Sequence, residues 1–337
     1  MSARAGWFKR ALAAVPVAAA LLLLVSAWSG EAAAGAVWVK HTSAREAGDF
    51  WTLARMRAAR PVEVSSPGPR VRSGGRHGHR GKQRRLAALA LPFGSDFEAV
   101  ADPTAPEFRV NGAIFLSFGI FGYGRCSGTA VRSRNQSVVV TAGHCINTGG
   151  RRGRWFDGKT VFVPAYRYGQ RPFGVFPARW IDTTKQWRAN GSENFDVGAM
   201  VVGPNEAGEK LTEAVGGAGI AFNLKAKQTF DVHGYPAEDP FDGETQRICR
   251  GTPFLGHDAN SFAFPGPLNL AVACGLTGGA SGGGWTIEGG TLNGVTDYGY
   301  FDQSSPAFGA YFGKEVARLY DRAKKVRVRC RPLPPPA

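Results

Sequence analysis

Residues 277–285 form a glycine-rich run with one serine, Ser281, at its centre. Glycine allows the backbone to turn at positive φ, and such a turn can direct several N–H groups to one point. Donors at one point stabilise the oxyanion that forms when a serine hydroxyl attacks a carbonyl carbon. The other interpretation of such a run is a flexible glycine-rich linker. The run therefore indicates a nucleophile only if the rest of the chain supplies a base and an acid.

A serine nucleophile needs a base within hydrogen-bond reach and an acid that holds the base in the correct tautomer. His144 follows an apolar stretch over 138–142 and precedes Cys145, so a strand end and a cysteine are available to hold it in place. Asp196 directly precedes a second apolar stretch. A carboxylate there makes sense if it accepts a hydrogen bond from an imidazole N–H. Together with Ser281, these residues have the types that acyl transfer requires.

Three segments carry these residues: 141–145, 196–202 and 278–283. They resemble the three motifs of the chymotrypsin-like serine proteases, in that family's order of histidine, aspartate and serine. The resemblance covers roughly residues 108–320. Within the family, the serine segment and residues 233–236 are most similar to secreted bacterial enzymes of the glutamyl-endopeptidase (V8-like) branch.

The resemblance implies an all-β fold of two six-stranded antiparallel β-barrels with a C-terminal helix and an active site in the cleft between the barrels. It assigns Ser281 as the nucleophile, His144 as the general base and acid, and Asp196 as the residue that orients His144. The backbone N–H groups of Gly279 and Ser281 would form the oxyanion hole. This chemistry needs no cofactor and no metal, so neither is expected.

The resemblance also assigns five substrate-binding residues. Gly275 stands where trypsin-type enzymes carry an aspartate, so cleavage after Lys or Arg loses its usual counter-charge. Thr296 stands where the glutamyl-specific branch carries a histidine, and threonine is a weak substitute for it. Thr277 belongs to the same set, and Tyr298 and Gly299 would lie on the edge strand along which an extended peptide pairs. The preferred residue before the scissile bond therefore stays open.

Two further positions depart from the family pattern. Ala280 replaces the aspartate that pairs with a newly cut N-terminus in the digestive branch, so that activation switch cannot operate. If the chain is made as a precursor, another mechanism must hold it inactive, such as masking by residues 35–107. Asp297 stands where most relatives carry a serine that touches the triad aspartate, and two adjacent carboxylates would repel each other or share a proton. Either Asp297 turns away or the alignment is shifted by one residue.

The five cysteines include no C-x-x-C pair, which argues against a zinc or thioredoxin-type site. If residues 1–34 direct the chain out of the cell, the five cysteines indicate two disulfides and one unpaired cysteine. The resemblance implies that Cys126 pairs with Cys145 and that Cys249 pairs with Cys274. Cys330 is then either free or paired between molecules.

The elements that would position these residues are mainly strands. Short apolar runs separated by Gly, Pro and Asn predict a β protein, and residues 288–290 predict a tight hairpin turn. One amphipathic helix is predicted over 314–325. The predicted strands are 110–118, 126–131, 138–141, 161–163, 176–181, 197–202, 230–234, 261–264, 285–287 and 292–298.

The chain divides into four regions. Residues 1–34 begin with basic residues, continue with an apolar run and end in small residues that suit a cleavage site, so they predict a signal peptide. A retained membrane anchor is the alternative. Residues 35–107 contain one potential helix over 43–60 and a stretch poor in apolar residues, so a propeptide or disordered linker is predicted. Residues 108–320 would form the protease domain. Residues 321–337 form a basic, proline-rich tail.

The net charge of +15 is spread along the chain and would fit nucleic acid or anionic surfaces as partners. No nucleic-acid-binding signature accompanies it, so we expect no nucleic acid partner. The sequence predicts a secreted, monomeric serine endopeptidase that acts on protein or peptide substrates and has no stable membrane partner after signal cleavage. The alternative is a catalytically inactive homologue that binds a peptide or a cell surface. A third interpretation, a basic nucleic-acid-binding protein, rests on charge alone.

Overall fold

The structure is a computed structural model that describes residues 35–62, 98–258, 261, 265–300 and 306–328. The predicted signal peptide, the end of the basic tail and Cys330 lie outside these ranges. Two sheets of mainly antiparallel strands make up most of the described fold, which confirms the all-β prediction. Among the described residues, no helix has both the length and the apolar character that crossing a bilayer requires.

The N-terminal segment that was predicted as a propeptide or disordered linker is folded in its described parts. Strands β1 (Val37–Trp38) and β2 (Arg60–Pro61) pair with the first sheet, and β3 (Glu98–Ala99) pairs with the second. Helices α1 (Ala44–Phe50) and α2 (Leu53–Ala58) lie between β1 and β2. The stretch poor in apolar residues over 61–85, on which the prediction of disorder rests, lies outside the described residues from 63 onward. The removal of this region and the domain boundaries stay predictions.

The single helix predicted over 43–60 is divided at Trp51. Ser43 begins α1 with a capping box, and Thr52 begins α2 as a second N-cap. Between them, the fully buried Trp51 donates from its indole Nε1 to Lys159 O at 2.7 Å. The helix ends because the backbone leaves the helical region at Trp51 (ψ 73°) and Thr52 (ψ 159°). The buried cluster around the indole includes Met56, Phe115, Tyr166 and Tyr235.

The first sheet closes on itself as a six-stranded antiparallel barrel. Its strands are β4 (Asn111–Ser117), β5 (Tyr123–Val131), β6 (Val138–Ala142), β7 (Val161–Pro164), β8 (Phe176–Thr183) and β9 (Val197–Val202). The neighbours run β7, β4, β5, β6, β9, β8, and β8 pairs again with β7. Two short helices that were not predicted, α3 (Lys185–Asn190) and α4 (Leu211–Val215), follow the last two strands.

The second sheet contains six antiparallel strands in the order β15, β14, β11, β12, β13, β16, and β10 runs parallel beside β15. Phe308 in the last strand bridges to Tyr298, which follows β15 in the chain, so the circuit of strands returns to its start. The strands are β10 (Gly219–Ile220), β11 (Thr229–Gly234), β12 (Arg247–His257), β13 (Leu270–Val272), β14 (Gly284–Ile287), β15 (Thr291–Val295) and β16 (Ala307–Gly309).

Several predicted elements are present and others were missed. The hairpin around 288–290 joins β14 and β15. The C-terminal helix α5 (Lys314–Ala323) buries Val316 and Leu319 in the same apolar core as the strands of the first barrel. The predicted strand 292–298 ends at Val295, and part of the predicted strand 261–264 lies outside the described residues. Strand β12 was missed because its glycines and its proline are typical of loops and edges.

Candidate active site

His144 and Asp196 are brought together by two neighbouring strands of the first barrel. His144 lies in the turn after β6, and Asp196 lies directly before β9, which pairs with β6. Asp196 Oδ2 lies 2.7 Å from His144 Nδ1, and Asp196 Oδ1 accepts a hydrogen bond from His144 N, also at 2.7 Å. Both residues are almost completely buried. An imidazole that donates from Nδ1 to a carboxylate has its lone pair on Nε2, where it can accept a proton.

The close approach of Asp196 to the histidine turn requires a glycine at position 143. A Cβ at Gly143 would lie 2.7 Å from Asp196 Oδ1 and 2.8 Å from Thr183 Oγ1. Neither atom can easily move away, because Asp196 Oδ1 accepts from His144 N and the Thr183 hydroxyl donates to Val197 O at 2.7 Å. A side chain at 143 would therefore displace the carboxylate from the histidine.

Ser281 lies against the same turn through its backbone. Its carbonyl oxygen accepts a hydrogen bond from Ser127 N at 2.7 Å and lies 3.6 Å from Cys145 Sγ, in the residue next to His144. Its hydroxyl Oγ lies 3.5 Å from Asp297 O. The structure therefore brings the third predicted residue against the turn that carries His144.

The peptide planes before Ser281 are held by hydrogen bonds to their carbonyl groups. Gly278 O accepts from Ala237 N at 2.7 Å, and Gly279 O accepts from Ser127 Oγ at 2.8 Å. In a trans peptide the N–H points opposite to the preceding carbonyl, so the N–H of Gly279 points away from Ala237. Gly279 has φ +91°, and a Cβ there would lie 2.8 Å from Tyr235 O. The turn thus depends on glycine at 279 for both conformation and space.

Ser127 is a supporting residue that sequence reasoning missed. Its hydroxyl donates to Gly279 O and accepts from Tyr235 N at 2.9 Å, so one side chain of the first barrel joins two loops of the second. The only signal in the sequence was its place next to Cys126. A hydroxyl that serves as both donor and acceptor in a buried site fixes both of its partners.

Two of the five predicted substrate-binding residues use their hydroxyl groups in hydrogen bonds within the protein. Thr277 Oγ1 donates to Glu238 O at 3.1 Å, and Thr296 Oγ1 accepts from the buried indole of Trp285 at 2.9 Å. These two hydroxyls are therefore engaged with the protein. Gly275 is buried and directly follows Cys274, and Gly299 is exposed.

Tyr298 belongs to a buried aromatic and acidic cluster that was not predicted. Its ring stacks on Phe308 with centroids 5.2 Å apart, and its hydroxyl donates to Asp258 Oδ2 at 2.5 Å. Tyr300 donates to the same oxygen at 2.7 Å, and Asn269 Nδ2 donates to Tyr298 Oη at 3.0 Å. The segment after β15 is therefore rigidly held beside Ser281. Within the predicted edge strand 292–298, Leu292 pairs with Ile220 of β10, and the residues up to Val295 pair with β14. Pairing of a substrate along Tyr298 and Gly299 stays a prediction.

Asp297 is buried within the site and does not turn toward solvent. Its Oδ2 accepts a hydrogen bond from Ala310 N at 2.5 Å. Burial, and next the negative charge of Asp196, raise the pKa of Asp297 well above its usual value. Asp297 therefore does not turn away from the site, in contrast to the first of the two alternatives drawn from the sequence.

Both predicted disulfides are present. Cys126 and Cys145 join β5 to the turn that carries His144. Cys249 and Cys274 join β12 to the segment that enters the glycine turn before Ser281. Each bridge therefore ties one of the segments that carry the predicted triad residues to a strand of its own sheet.

Solved structures similar to this chain include proteases. The protease Anisep from Arthrobacter nicotinovorans is 33% identical, with a TM-score of 0.61, and the match covers 68% of this chain and 100% of Anisep. The thermostable serine protease AL20, from an extremophilic microorganism, is also 33% identical, with a TM-score of 0.59 over 66% of this chain and 100% of AL20. A Glu endopeptidase in complex with MPD is 17% identical, with a TM-score of 0.56, and the match covers 69% of this chain and 99% of that structure. At this identity the match shows a similar fold only.

No protein-family model and no curated protein matches the sequence. The matches to Anisep and AL20 cover the full length of both proteases, and one third of the aligned residues are identical. The closed first barrel, the second six-stranded sheet and the C-terminal helix agree with the double-barrel fold expected from the three motifs. The chain belongs to the chymotrypsin-like, trypsin-fold family of serine proteases.

Proposed function

We propose that the chain is a serine endopeptidase that hydrolyses peptide bonds through a covalent acyl-enzyme. The observation that carries this proposal is the double contact of Asp196 with His144, beside a turn whose disulfide touches the backbone of Ser281. A carboxylate that holds the Nδ1–H side of an imidazole leaves Nε2 to act as a base toward a hydroxyl. Such an arrangement has a use in proton transfer and little use in stability alone.

In the proposed mechanism, Ser281 Oγ attacks the carbonyl carbon of the scissile bond while His144 takes the hydroxyl proton. The carbonyl oxygen, which becomes negatively charged, accepts hydrogen bonds from the backbone N–H groups of Gly279 and Ser281. The C–N bond then breaks, and His144 returns the proton to the leaving amine. Water, activated by His144, hydrolyses the ester and restores Ser281. Asp196 stabilises the imidazolium in both halves of the reaction.

The proposed place of action is outside the cell. The described residues contain two disulfides. Disulfides form and persist in oxidising compartments such as the outside of the cell. The predicted signal peptide over 1–34 agrees with this, and we propose that the enzyme works as a secreted monomer on protein or peptide substrates. The residue preferred before the scissile bond is not part of the proposal, because Gly275 and Thr296 carry neither of the family's usual charged or imidazole groups.

A fluorophosphonate probe tests the proposal directly. An activated serine attacks the phosphorus and expels fluoride, so the probe labels only a competent nucleophile. We expect labelling of the secreted protein and none of the Ser281→Ala variant, with Ser133→Ala as the control that should label fully. If the folded, processed protein does not label, the endopeptidase proposal is wrong and the inactive homologue takes its place. Cleavage of a peptide library, with the new termini identified by mass spectrometry, then defines the substrate preference.

A further inference from the structure

Asp297 occupies an unusual position for a carboxyl group. Its backbone N donates to Phe308 O at 2.8 Å, and its carbonyl oxygen lies 3.5 Å from Ser281 Oγ. Its side chain is 1% exposed, and Oδ2 accepts from Ala310 N. The main chain of Asp297 thus borders the nucleophile, while its side chain is held inside the protein by one oxygen.

The other oxygen of Asp297 has no donor. Within the part of the chain that the structure describes, Oδ1 is buried and takes part in no hydrogen bond. A buried carboxylate oxygen without a donor is costly, because the charge loses its hydration and gains nothing in return. A protonated carboxyl group avoids this cost, since it is neutral and offers an O–H that needs an acceptor.

An acceptor is available in the triad. The titratable groups that act on Asp297 are Asp196 and, more weakly, Glu193, and both carry negative charge. Each oxygen of Asp196 accepts one hydrogen bond from His144 and retains a further lone pair. Two carboxyl groups in one dry site are stable when they share one proton and one charge. Burial and repulsion by Asp196 both raise the pKa of Asp297, in agreement with a proton on this group.

We propose that Asp297 is a positioning residue of the protease: it is a neutral carboxylic acid whose O–H is donated to the ionised carboxylate of Asp196. The proposal rests on the proposed function, because Asp196 needs positioning only if His144 is the base. The donated bond holds the Asp196 carboxylate in the orientation in which it binds both N–H groups of His144. The buried pair then carries a single charge, so the imidazolium that forms during the reaction faces one negative group and not two.

The test compares three substitutions in the full secreted protein. Asp297→Asn and Asp297→Ser keep a neutral donor, so kcat is expected within about threefold of wild type. Asp297→Leu has similar size but no donor, and the loss of a buried hydrogen bond to a charge should lower kcat by about ten- to a hundredfold with little change in KM. A loss of equal size in all three variants would overturn the proposal. Thermal unfolding of each variant identifies any that fails to fold.

The pH profile of kcat/KM is the readout that a purely structural role would not change. Its acidic limb reports the pKa of the base in the free enzyme. If Asp297 is neutral, Asp297→Asn leaves this limb in place. If Asp297 is charged in the wild type, the substitution removes a negative charge near His144, and the limb moves down by about one pH unit. That shift would contradict the proposal.

A measurement on the wild type covers the case in which the variants do not fold. A protonated carboxyl group has an infrared C=O band that carboxylates lack, and we expect it at neutral pH in the wild type and not after substitution of Asp297 by Asn or, if needed, Ser. Absence of the band in the wild type overturns the proposal. Fluorophosphonate labelling distinguishes failure of the proposed function from failure of the proposed role of Asp297. A protein that labels normally but lacks the infrared band refutes only the role of Asp297.

Discussion

Asp196 binds His144 at two points, the backbone N with Oδ1 and the ring Nδ1 with Oδ2, each at 2.7 Å. One carboxylate therefore fixes the imidazole relative to its own main chain. Rotation of the ring about its side-chain bonds would break the second contact while the first remains. An imidazole held in this way stays aimed at one position, which would reduce the entropy lost in the proposed proton transfer from Ser281.

Asp196→Asn should remove nearly all activity while the protein stays folded. An amide has one acceptor, and His144 N is a fixed donor, so the amide oxygen will face the backbone and the NH₂ group will face Nδ1. The imidazole then carries its proton on Nε2 and cannot act as a base, which lowers kcat by about 10⁴-fold. Steady-state kinetics measures this, and the exposed Asp157→Asn serves as the control. An activity loss below tenfold would exclude the assigned role of Asp196.

Gly279→Ala should lower kcat by about 10²- to 10³-fold, the loss typical for one oxyanion donor. The added Cβ would lie 2.8 Å from Tyr235 O and would force the peptide plane that carries the donor to turn. Gly208→Ala is the matched control, because Gly208 also has positive φ, +84°, but has open space around it. Equal effects of the two substitutions on kcat would show that backbone strain, and not the clash at the donor, is responsible.

Trp51→Ala should destabilise the protein by about 3–5 kcal/mol, the usual cost of removing a buried aromatic side chain. Trp51 is fully buried and bonded to Lys159 O, whereas Trp38 is 66% exposed. Trp38→Ala is therefore the control and should leave the free energy of unfolding within about 0.5 kcal/mol. Denaturant unfolding of the purified, processed protein gives both values. If Trp51→Ala has no effect there, residues 35–62 have left the mature protein.

Stability should fall in acid through His233, and the sign follows from its burial. Burial lowers the pKa of His233 from 6.5 to about 4, so below pH 6.5 the unfolded chain binds a proton that the folded chain rejects. Stability is therefore lost as the pH falls from about 6.5 to about 4, by about 3 kcal/mol at most.

His233→Gln removes this titration and keeps a polar side chain between Gln246 and Thr286, which lie 3.4 Å from the two ring nitrogens. The stability of the variant should decline less than that of the wild type between pH 6.5 and pH 4, as measured by urea unfolding at a series of pH values. The exposed His257→Gln should follow the wild type. Parallel curves for His233→Gln and wild type would refute the prediction.

Residue type and spacing along the chain were sufficient to predict the three motifs, the all-β fold, the C-terminal helix and the hairpin around 288–290. These features depend on local properties: an apolar strand before His144, glycines around Ser281, and turn residues between two strands. The same local pattern failed at 43–60, where helical periodicity does not reveal that Trp51 turns inward and that Thr52 begins a second helix.

Other features of the site depend on contacts between residues that are far apart in the chain. Ser127 Oγ reaches Gly279 across 152 residues, and Trp51 reaches Lys159 across 108. Periodicity shows that a residue is buried but not which group lies opposite it. For this reason the sequence left two interpretations of Asp297, whereas its burial, its bond to Ala310 and the charge of Asp196 became known from the folded chain. A pKa depends on the surroundings in three dimensions, because desolvation and nearby charge both act through space.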